Sequence, residues 1–241
     1  LLGSASTGFP GSAGERRTNI ERAAMLFDGV VVDRGKEFSF IGNHDFSEEA
    51  GFVEGYGIIG GRLDRVIGGG LCQVSTTMFR AVANAGLQIT RRIPHTYVVY
   101  FYENILGFDA TVFTPDVDFR WRNNTSGSIT ISAIPDMVAE RVTFDIYGTS
   151  DGRQVSYTGP DVRNRVKPGR PIWQYDASLP RGSRVQMVHG RDGMDVTLVR
   201  NVTLPDGRVL IRDRFDTHYR PWDDFWVFGP GVTPPAGARI I

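Results

Sequence analysis

The chain has 241 residues, 41% hydrophobic and 22% charged, with basic and acidic side chains in equal number and a net charge of zero. That is long and apolar enough for one large domain or two modest ones, and the charge balance gives no basis for a nucleic-acid or anionic-membrane partner. No run approaches the ~18–20 apolar residues of a transmembrane helix, and no signal peptide is visible. The first residue is Leu1 and not methionine, as expected of a processed or trimmed product, which leaves an upstream anchor or export signal open. Cys72 is the one cysteine, so an intramolecular disulfide framework and a zinc site built on several thiolates are both excluded. Two readings of Cys72 remain: a small buried hydrophobe or a reactive thiol.

In chain order, residues 1–14, "LLGSASTGFPGSAG", read as a loop or extended lead-in. In "TNIERAAMLFDG" the residues Ile20, Ala23, Ala24 and Phe27 recur at helical spacing, with Thr18 or Asn19 as start cap and Gly29 as stop. "VVVDRGKEFSF" predicts a strand, a turn at Arg34-Gly35 and a second short strand. The glycine-rich and acidic run that follows is irregular, with "YGIIGGRLD" as a hairpin. From Cys72 to Leu87 the apolar positions Val74, Met78, Val82 and Ala85 define the strongest helix, and Gly86 stands where a C-terminal glycine belongs. Beyond it "IPHTYVVYF", "DATVFT", "DVDFRWRN", "SITISAIP" and "RVTFDIYG" read as strands.

The character changes near Ser150, and a boundary or linker is placed at 149–155. The rest has no helical period. "VTLVRNVTLPDGRVLIRDRFDTHY" predicts a hairpin through Pro205-Asp206-Gly207, with Val209, Ile211, Phe215 and Tyr219 on one face of the second arm and Arg208, Arg212 and Arg214 on the other. "PGVTPPAGA" is a low-complexity tail. The expected fold class is α+β: residues 1–150 with two helices and a mostly antiparallel sheet, then a small elongated all-β module over 151–241.

Three local features converge on Cys72. It follows "GGG", so the backbone there can take conformations closed to other residues and approach a substrate closely. It stands at a helix N-terminus, where free N–H groups and the helix dipole favour a thiolate. The same N–H groups, near Gly69, Gly70 and Gln73, are placed to receive an oxyanion. A cysteine nucleophile needs a base. His95, in "RRIPHTYVVYF", stands at the start of a new segment, and spacing alone leaves open whether it returns to the helix start. His44, in "IGNHDFSEE", is its rival; His189 and His218 lie in the other module. Asp109 is either the orienting third member of a Cys–His–Asp set or a turn aspartate. Ser75 and Thr76 cap the helix or line a cleft. Arg120 and Arg122 share a strand face that holds a substrate carboxylate or is simply solvated.

The stretches "TNIERAAMLFDGVVVDRGKEFSF", "GYGIIGGRLDRVIGGGLCQVSTTMFRAVANAGLQITRRIPHTYVVYF", "FDATVF" and "DFRWRNNTSGSITISA" resemble the VanW domain family in order and spacing across residues 5–148. "GGGLCQVSTT" is the most specific of them. Residues 155–232 are similar to the G-five domain, with Gly182, Gly190, Gly193, Gly207 and Gly229 as the counterpart glycines. VanW members are exported bacterial proteins, often beside wall-binding modules, and the family is named for a gene of some glycopeptide-resistance clusters. The resemblance implies an extracellular protein of the cell wall or the outer face of the cytoplasmic membrane whose partners are peptidoglycan stem peptides and glycan. Some members act as L,D-transpeptidases, cross-linking the third residues of two stem peptides through a cysteine. Carried onto this chain, the family's cysteine is Cys72, its "PH" histidine His95 and its "DATV" aspartate Asp109. The helix reads "MFRA" where many members read "LYNA", which puts Arg80 at that position. The "SHGC" signature of the better-known L,D-transpeptidases is absent.

The function expected is therefore acyl transfer without metal or cofactor, with water as acceptor giving a carboxypeptidase. The alternative is a non-catalytic wall-glycan-binding protein in which Cys72 is structural.

Overall fold

The computed structural model describes residues 1–42, 44–59 and 62–241, with side chains described outside residues 56–64. Strand β1 (Gly3–Gly8) leads into helix α1 (Gly14–Phe27), followed by β2 (Val31–Val32) and β3 (Glu37–Ser39). Strands β4 (Glu54–Ile59) and β5 (Arg62–Ile67) pair antiparallel within the expected "YGIIGGRLD" hairpin, of which residues 60 and 61 lie outside the described residues. Helix α2 (Leu71–Asn84), β6 (Gln88–Arg91), a 3-10 turn at Tyr100–Tyr102, β7 (Arg120–Arg122), β8 (Ile129–Asp136) and β9 (Arg141–Tyr147) complete the first part. The remainder is all β: β10 (Gln154–Val166), β11 (Ile172–Tyr175), β12 (Arg184–Val188), β13 (Gly193–Thr203), β14 (Val209–Tyr219), β15 (Phe225–Phe228) and β16 (Arg239–Ile240). The fold class is α+β, as the sequence predicts, and no helix among the described residues is long and apolar enough to cross a membrane.

The central sheet is antiparallel in the order β1-β9-β8-β2, and both helices pack on it. Alternation along β8 and β9 turns Ile129, Ile131, Val142, Phe144 and Ile146 to one face, all fully buried. Against them lie Ile20, Ala23, Ala24 and Phe27 of α1 and Val74, Met78 and Val82 of α2, spaced at one helical face. A second antiparallel sheet, β3-β7-β6, closes the side of the core around Trp121.

Four local expectations change. The lead-in is strand β1, paired residue for residue with β9; Gly3 lies so close to α2 that a Cβ would stand 2.3 Å from the Ala85 nitrogen. Small residues look like a loop in sequence and here serve close packing. Helix α1 begins a turn earlier than Thr18, so neither Thr18 nor Asn19 is its cap; Asn19 is fully buried. "IPHTYVVYF" is not a strand but an irregular segment ending in the 3-10 turn: the His95 N–H goes to the Asp109 side chain, and the Ile93 and Thr96 carbonyls accept single bonds from Thr111 and Arg220 outside any ladder. "DATVFT" likewise joins no ladder beyond an isolated Phe113–Val117 bridge. The hydroxyls of Ser75 and Thr76 and the Ile93 carbonyl take its polar groups instead.

In the second part β10-β13-β14 form one antiparallel sheet, and Gly207 turns the β13–β14 hairpin with φ 83°. The other sheet, β12-β15-β11-β16, contains the parallel pairs β11–β15 and β11–β16. The β10-β13-β14 sheet is packed hard against α2. Leu198 and Phe215 enter the main core, and the Phe215 ring meets Phe79 edge-on at 5.4 Å. Fully buried Arg200, ion-paired to Asp213, donates to the carbonyls of Ala83 (2.9 Å) and Leu87 (2.8 Å), supplying the positive charge that the last turn of α2 lacks.

Candidate active site

The glycine run builds the start of α2. Gly70 is its N-cap with φ 119°, a conformation that L side chains avoid, and a Cβ there would also press on the Arg16 carbonyl at 3.1 Å. Gly69 passes Gly55 so closely that a Cβ would stand 2.8 Å from the Gly55 carbonyl carbon. Asn19 locks this crossing: its amide donates to the carbonyls of Gly69 (3.0 Å) and Val53 (2.9 Å), and its Oδ1 accepts the Val53 N–H (2.9 Å). Cys72 then occupies the first turn of the helix, where N–H groups have no intrahelical acceptor.

Three sequence-selected residues converge there. His95 donates its backbone N–H to Asp109 Oδ2 at 2.8 Å and places Nδ1 2.6 Å from the same oxygen. That fixes the ring and leaves Nε2 3.1 Å from the Tyr102 hydroxyl, with the Cys72 thiol as the ring's second electrostatic partner. The sulfur also meets Thr111 Oγ1 and the Val112 carbonyl, each at 3.4 Å, and keeps partial solvent access. The helix–loop return that spacing left undecided thus brings His95 to the helix start.

The electrostatics form one chain. Burial opposes charge on Asp109, but His95, Arg92 and Tyr219 overcome it and hold the carboxyl well below the usual range. Burial likewise lowers His95, while Asp109 and Cys72 more than offset it and raise the imidazole to about 10. Burial raises the Cys72 thiol, and the His95 bond and charge, with Thr111 and Val112, bring it down to about 7. Between about 7 and about 10 the pair is thiolate and imidazolium.

Several residues around the cluster carry no clear signal in the sequence. Arg92 donates Nε to the Asp109 carbonyl (2.6 Å) and Nη2 to the Gly107 carbonyl (2.9 Å). Tyr219, from β14, donates its hydroxyl to Asp109 Oδ1 at 2.5 Å. Arg80 is buried and ties Tyr102 and Phe108 to α2 through their carbonyls at 2.7 and 2.8 Å. Arg16 lies beside the nucleophile: it donates to Gln73 Oε1 (2.7 Å) and Ser12 Oγ (2.6 Å), and its guanidinium covers the Phe101 ring at 3.8 Å. Burial lowers Arg16 to about 10, Tyr102 and Cys72 partly offsetting the effect. Among the described residues no carboxylate pairs with Arg16.

Other expected roles are corrected. The Gln73 N–H already donates to the Gly70 carbonyl at 2.9 Å, so it is not a free oxyanion donor, and Gly69 and Gly70 shape the turn. Ser75 and Thr76 line no cleft: both are fully buried, holding the Ala110 carbonyl at 2.7 and 3.2 Å. Arg120 and Arg122 do share a face, but they turn to Asp118 and Glu37 and not to Cys72. His44 packs among Phe27, Phe38 and Phe46, and burial lowers its pKa. His218 is exposed and bonded to Asp195. A cleft of about 300 Å³ lined by Arg80, Asn84 and Tyr157 does not include Cys72.

An α+β domain with a Cys–His–Asp line at the N-terminus of a buried helix defines the class. Residues 15–147 match the family described as VanW like protein, and the chain belongs to that family. It is 38% identical over 135 residues to the protein YoaR of Bacillus subtilis (strain 168), covering 55% of this chain and 43% of YoaR. It is 30% identical over 112 residues to the vancomycin B-type resistance protein VanW of Enterococcus faecalis (strain ATCC 700802 / V583), covering 44% of this chain and 40% of that protein. The match thus spans less than half of either relative. The solved structure HP0197-G5 is 23% identical, covering 32% of this chain and 97% of its own at a TM-score of 0.16. A score of that size assigns no fold, and the G-five likeness of residues 155–232 rests on the sequence.

Proposed function

We propose that this chain is a cysteine-dependent acyl transferase of the cell wall, acting outside the membrane as an L,D-transpeptidase on peptidoglycan stem peptides. The observation that carries the acyl-transfer reading is the continuous line from Cys72 through His95 to Asp109, seated at a helix start. The wall as the place of action is supported by the family and by the name of the Enterococcus relative, a vancomycin B-type resistance protein.

In this reading the Cys72 thiolate attacks the carbonyl of the third residue of a tetrapeptide stem, forming a C–S bond and a tetrahedral oxyanion. The Cys72 N–H is the first-turn donor for that oxygen, since those of Leu71 and Gln73 already donate to the Gly68 and Gly70 carbonyls. Collapse breaks the peptide bond; His95 Nε2 gives its proton to the departing amine of the terminal D-alanine, leaving a thioester. The side-chain amine of a second stem then attacks the thioester carbonyl, loses its proton to His95 and expels the thiolate. One amide is broken and one is made. Water in place of the amine gives a carboxypeptidase. Arg16, a cation beside the thiolate without a carboxylate partner among the described residues, suits the free carboxylate of the departing D-alanine.

The test is incubation of purified protein with disaccharide-tetrapeptide and mass spectrometry of the products. Wild type yields a 3→3 cross-linked dimer and free D-alanine, and Cys72→Ala yields neither. Equal cross-linking by the two proteins would end the proposal. The alternative, non-catalytic attachment to wall glycan, is favoured by Tyr175 of β11, which is 51% exposed at the end of the strand that carries the buried Trp173. Retention on isolated sacculi, without any acyl adduct on Cys72, would select it.

A further inference from the structure

We infer that the catalytic line is completed by the β module that follows the family segment, and that Tyr219 of β14 is a positioning residue for Asp109 and His95. The inference rests on the acyl-transfer reading for its chemistry, but its geometry stands separately. The family match ends at residue 147, and Tyr219 lies 110 positions from Asp109.

The argument starts from the carboxylate. Asp109 is buried, so each oxygen needs donors fixed in place. Oδ2 is occupied by the ring and backbone of His95. Oδ1 is held by the Tyr219 hydroxyl at 2.5 Å, with Arg92 Nη2 at a looser 3.4 Å. The same tyrosine oxygen accepts the Gly107 N–H at 3.0 Å, so one side chain from β14 fixes both the carboxylate and the backbone leading into it. Tyr219 is 4% exposed, and among the described residues its hydroxyl bonds only Asp109 and Gly107.

The rest of the loop is held from the same side. Gly107 has φ 72° and rests on Val196 of β13, where a Cβ would stand 2.8 Å from Val196 Cγ1. The Thr217 hydroxyl accepts Arg92 Nη1 at 3.1 Å. Arg220 N–H bonds the Thr96 carbonyl at 2.8 Å, one residue past His95. Tyr97 lies 4.9 Å from Trp222 between ring centroids, and Arg191 pairs with Glu103 at 3.2 Å, next to Tyr102. Every one of these partners comes from beyond residue 147. The segment 92–109 contains His95, Tyr102 and Asp109 but has no strand ladder of its own past β6; Arg80 of α2 holds the Tyr102 and Phe108 carbonyls, and the β module supplies the rest of the rigidity that a general base requires.

Tyr219→Phe in the full chain removes one oxygen and keeps the ring packing. Two readouts follow. In the cross-linking assay kcat falls at least ~10-fold per titrated thiol while the KM for tetrapeptide stays within about twofold, because geometry and not substrate contact is lost. In stopped-flow alkylation with iodoacetamide, the inflection of rate against pH, near 7 in wild type, moves upward by at least ~0.5 unit as Asp109 rotates away from His95. A merely structural role lowers the melting temperature and leaves both readouts unchanged per folded molecule, which would overturn the inference; an inflection that moves down would do so too. If Tyr219→Phe melts below the assay temperature, Thr217→Val replaces it: an upward movement by a smaller step is expected, and none overturns the inference. Alkylation needs no cross-linking activity, so it still decides the role of Tyr219 if wild type proves unable to transfer an acyl group.

Discussion

Asn19, in the middle of α1, bonds the carbonyl of Gly69 at 3.0 Å and both backbone groups of Val53 at 2.9 Å. One buried amide thereby ties the first helix, the β4–β5 hairpin and the glycine turn that launches Cys72. Asn19→Ala leaves the Gly69 carbonyl and the Val53 N–H without their partner, while the Val53 carbonyl keeps the Gly68 N–H at 3.2 Å, and each unsatisfied buried group costs ~1–3 kcal/mol. Urea denaturation is expected to show a loss of ~2–4 kcal/mol, within the range of buried polar losses. A change below ~0.5 kcal/mol would mean that water replaces the amide and that Asn19 does not hold the turn.

The pH behaviour of the Cys72–His95 pair follows from opposite shifts. Cys72 is lowered to about 7, so thiolate is gained as pH rises through that value. His95 is raised to about 10, so imidazolium persists until pH passes it. The ion pair spans the window between, and alkylation is expected to rise with an inflection near 7. His95→Gln removes the largest lowering influence on Cys72 and leaves the burial that raises it against the weaker Thr111 and Val112 bonds, so the inflection moves upward. Stability follows the same signs: the His95 contribution is complete below 6.5 and lost as pH rises through about 10. The Cys72 contribution is complete above 9 and lost as pH falls through about 7. In cross-linking, His95→Gln should cost ~10²–10⁴-fold in kcat. An unshifted inflection in the variant would remove His95 from the pair.

Arg16 gives a substrate-side prediction. Arg16→Gln should raise KM for tetrapeptide with a free terminal carboxylate by ~10-fold or more and leave KM for the terminal amide nearly unchanged, since a charge-assisted bond contributes ~1.5–3 kcal/mol. Equal losses on both substrates would assign Arg16 to the thiolate or to the fold instead of the carboxylate.

Phe215 tests how far the two halves of the chain share a core. Its ring lies among Phe79, Phe108 and the guanidinium of Arg200, and it is 6% exposed. Phe215→Ala should cost ~3–5 kcal/mol and lower the single unfolding transition of the whole chain. Two separated transitions, with only the second one moved, would show that the halves unfold independently.

Much of this protein is legible in its sequence. Val74, Met78 and Val82 mark α2 by their spacing, alternation marks β8 and β9, and Pro205-Asp206-Gly207 marks the β13–β14 turn. Such patterns report which face of a local element is buried, and that is set by near neighbours in the chain. Cys72 was legible for the same reason, since glycines and a helix start are local. The sequence also named His95 and Asp109 as candidates, but only tertiary structure decided that they meet Cys72 and that His44 does not. It also turned Ser75 and Thr76 from cleft residues into fasteners of the Ala110 carbonyl. Tyr219 and Arg200 act on partners more than a hundred positions away. Their roles depend on how a second sheet docks on the first core, and a side chain that bonds across such a junction leaves no period in the sequence from which to read it.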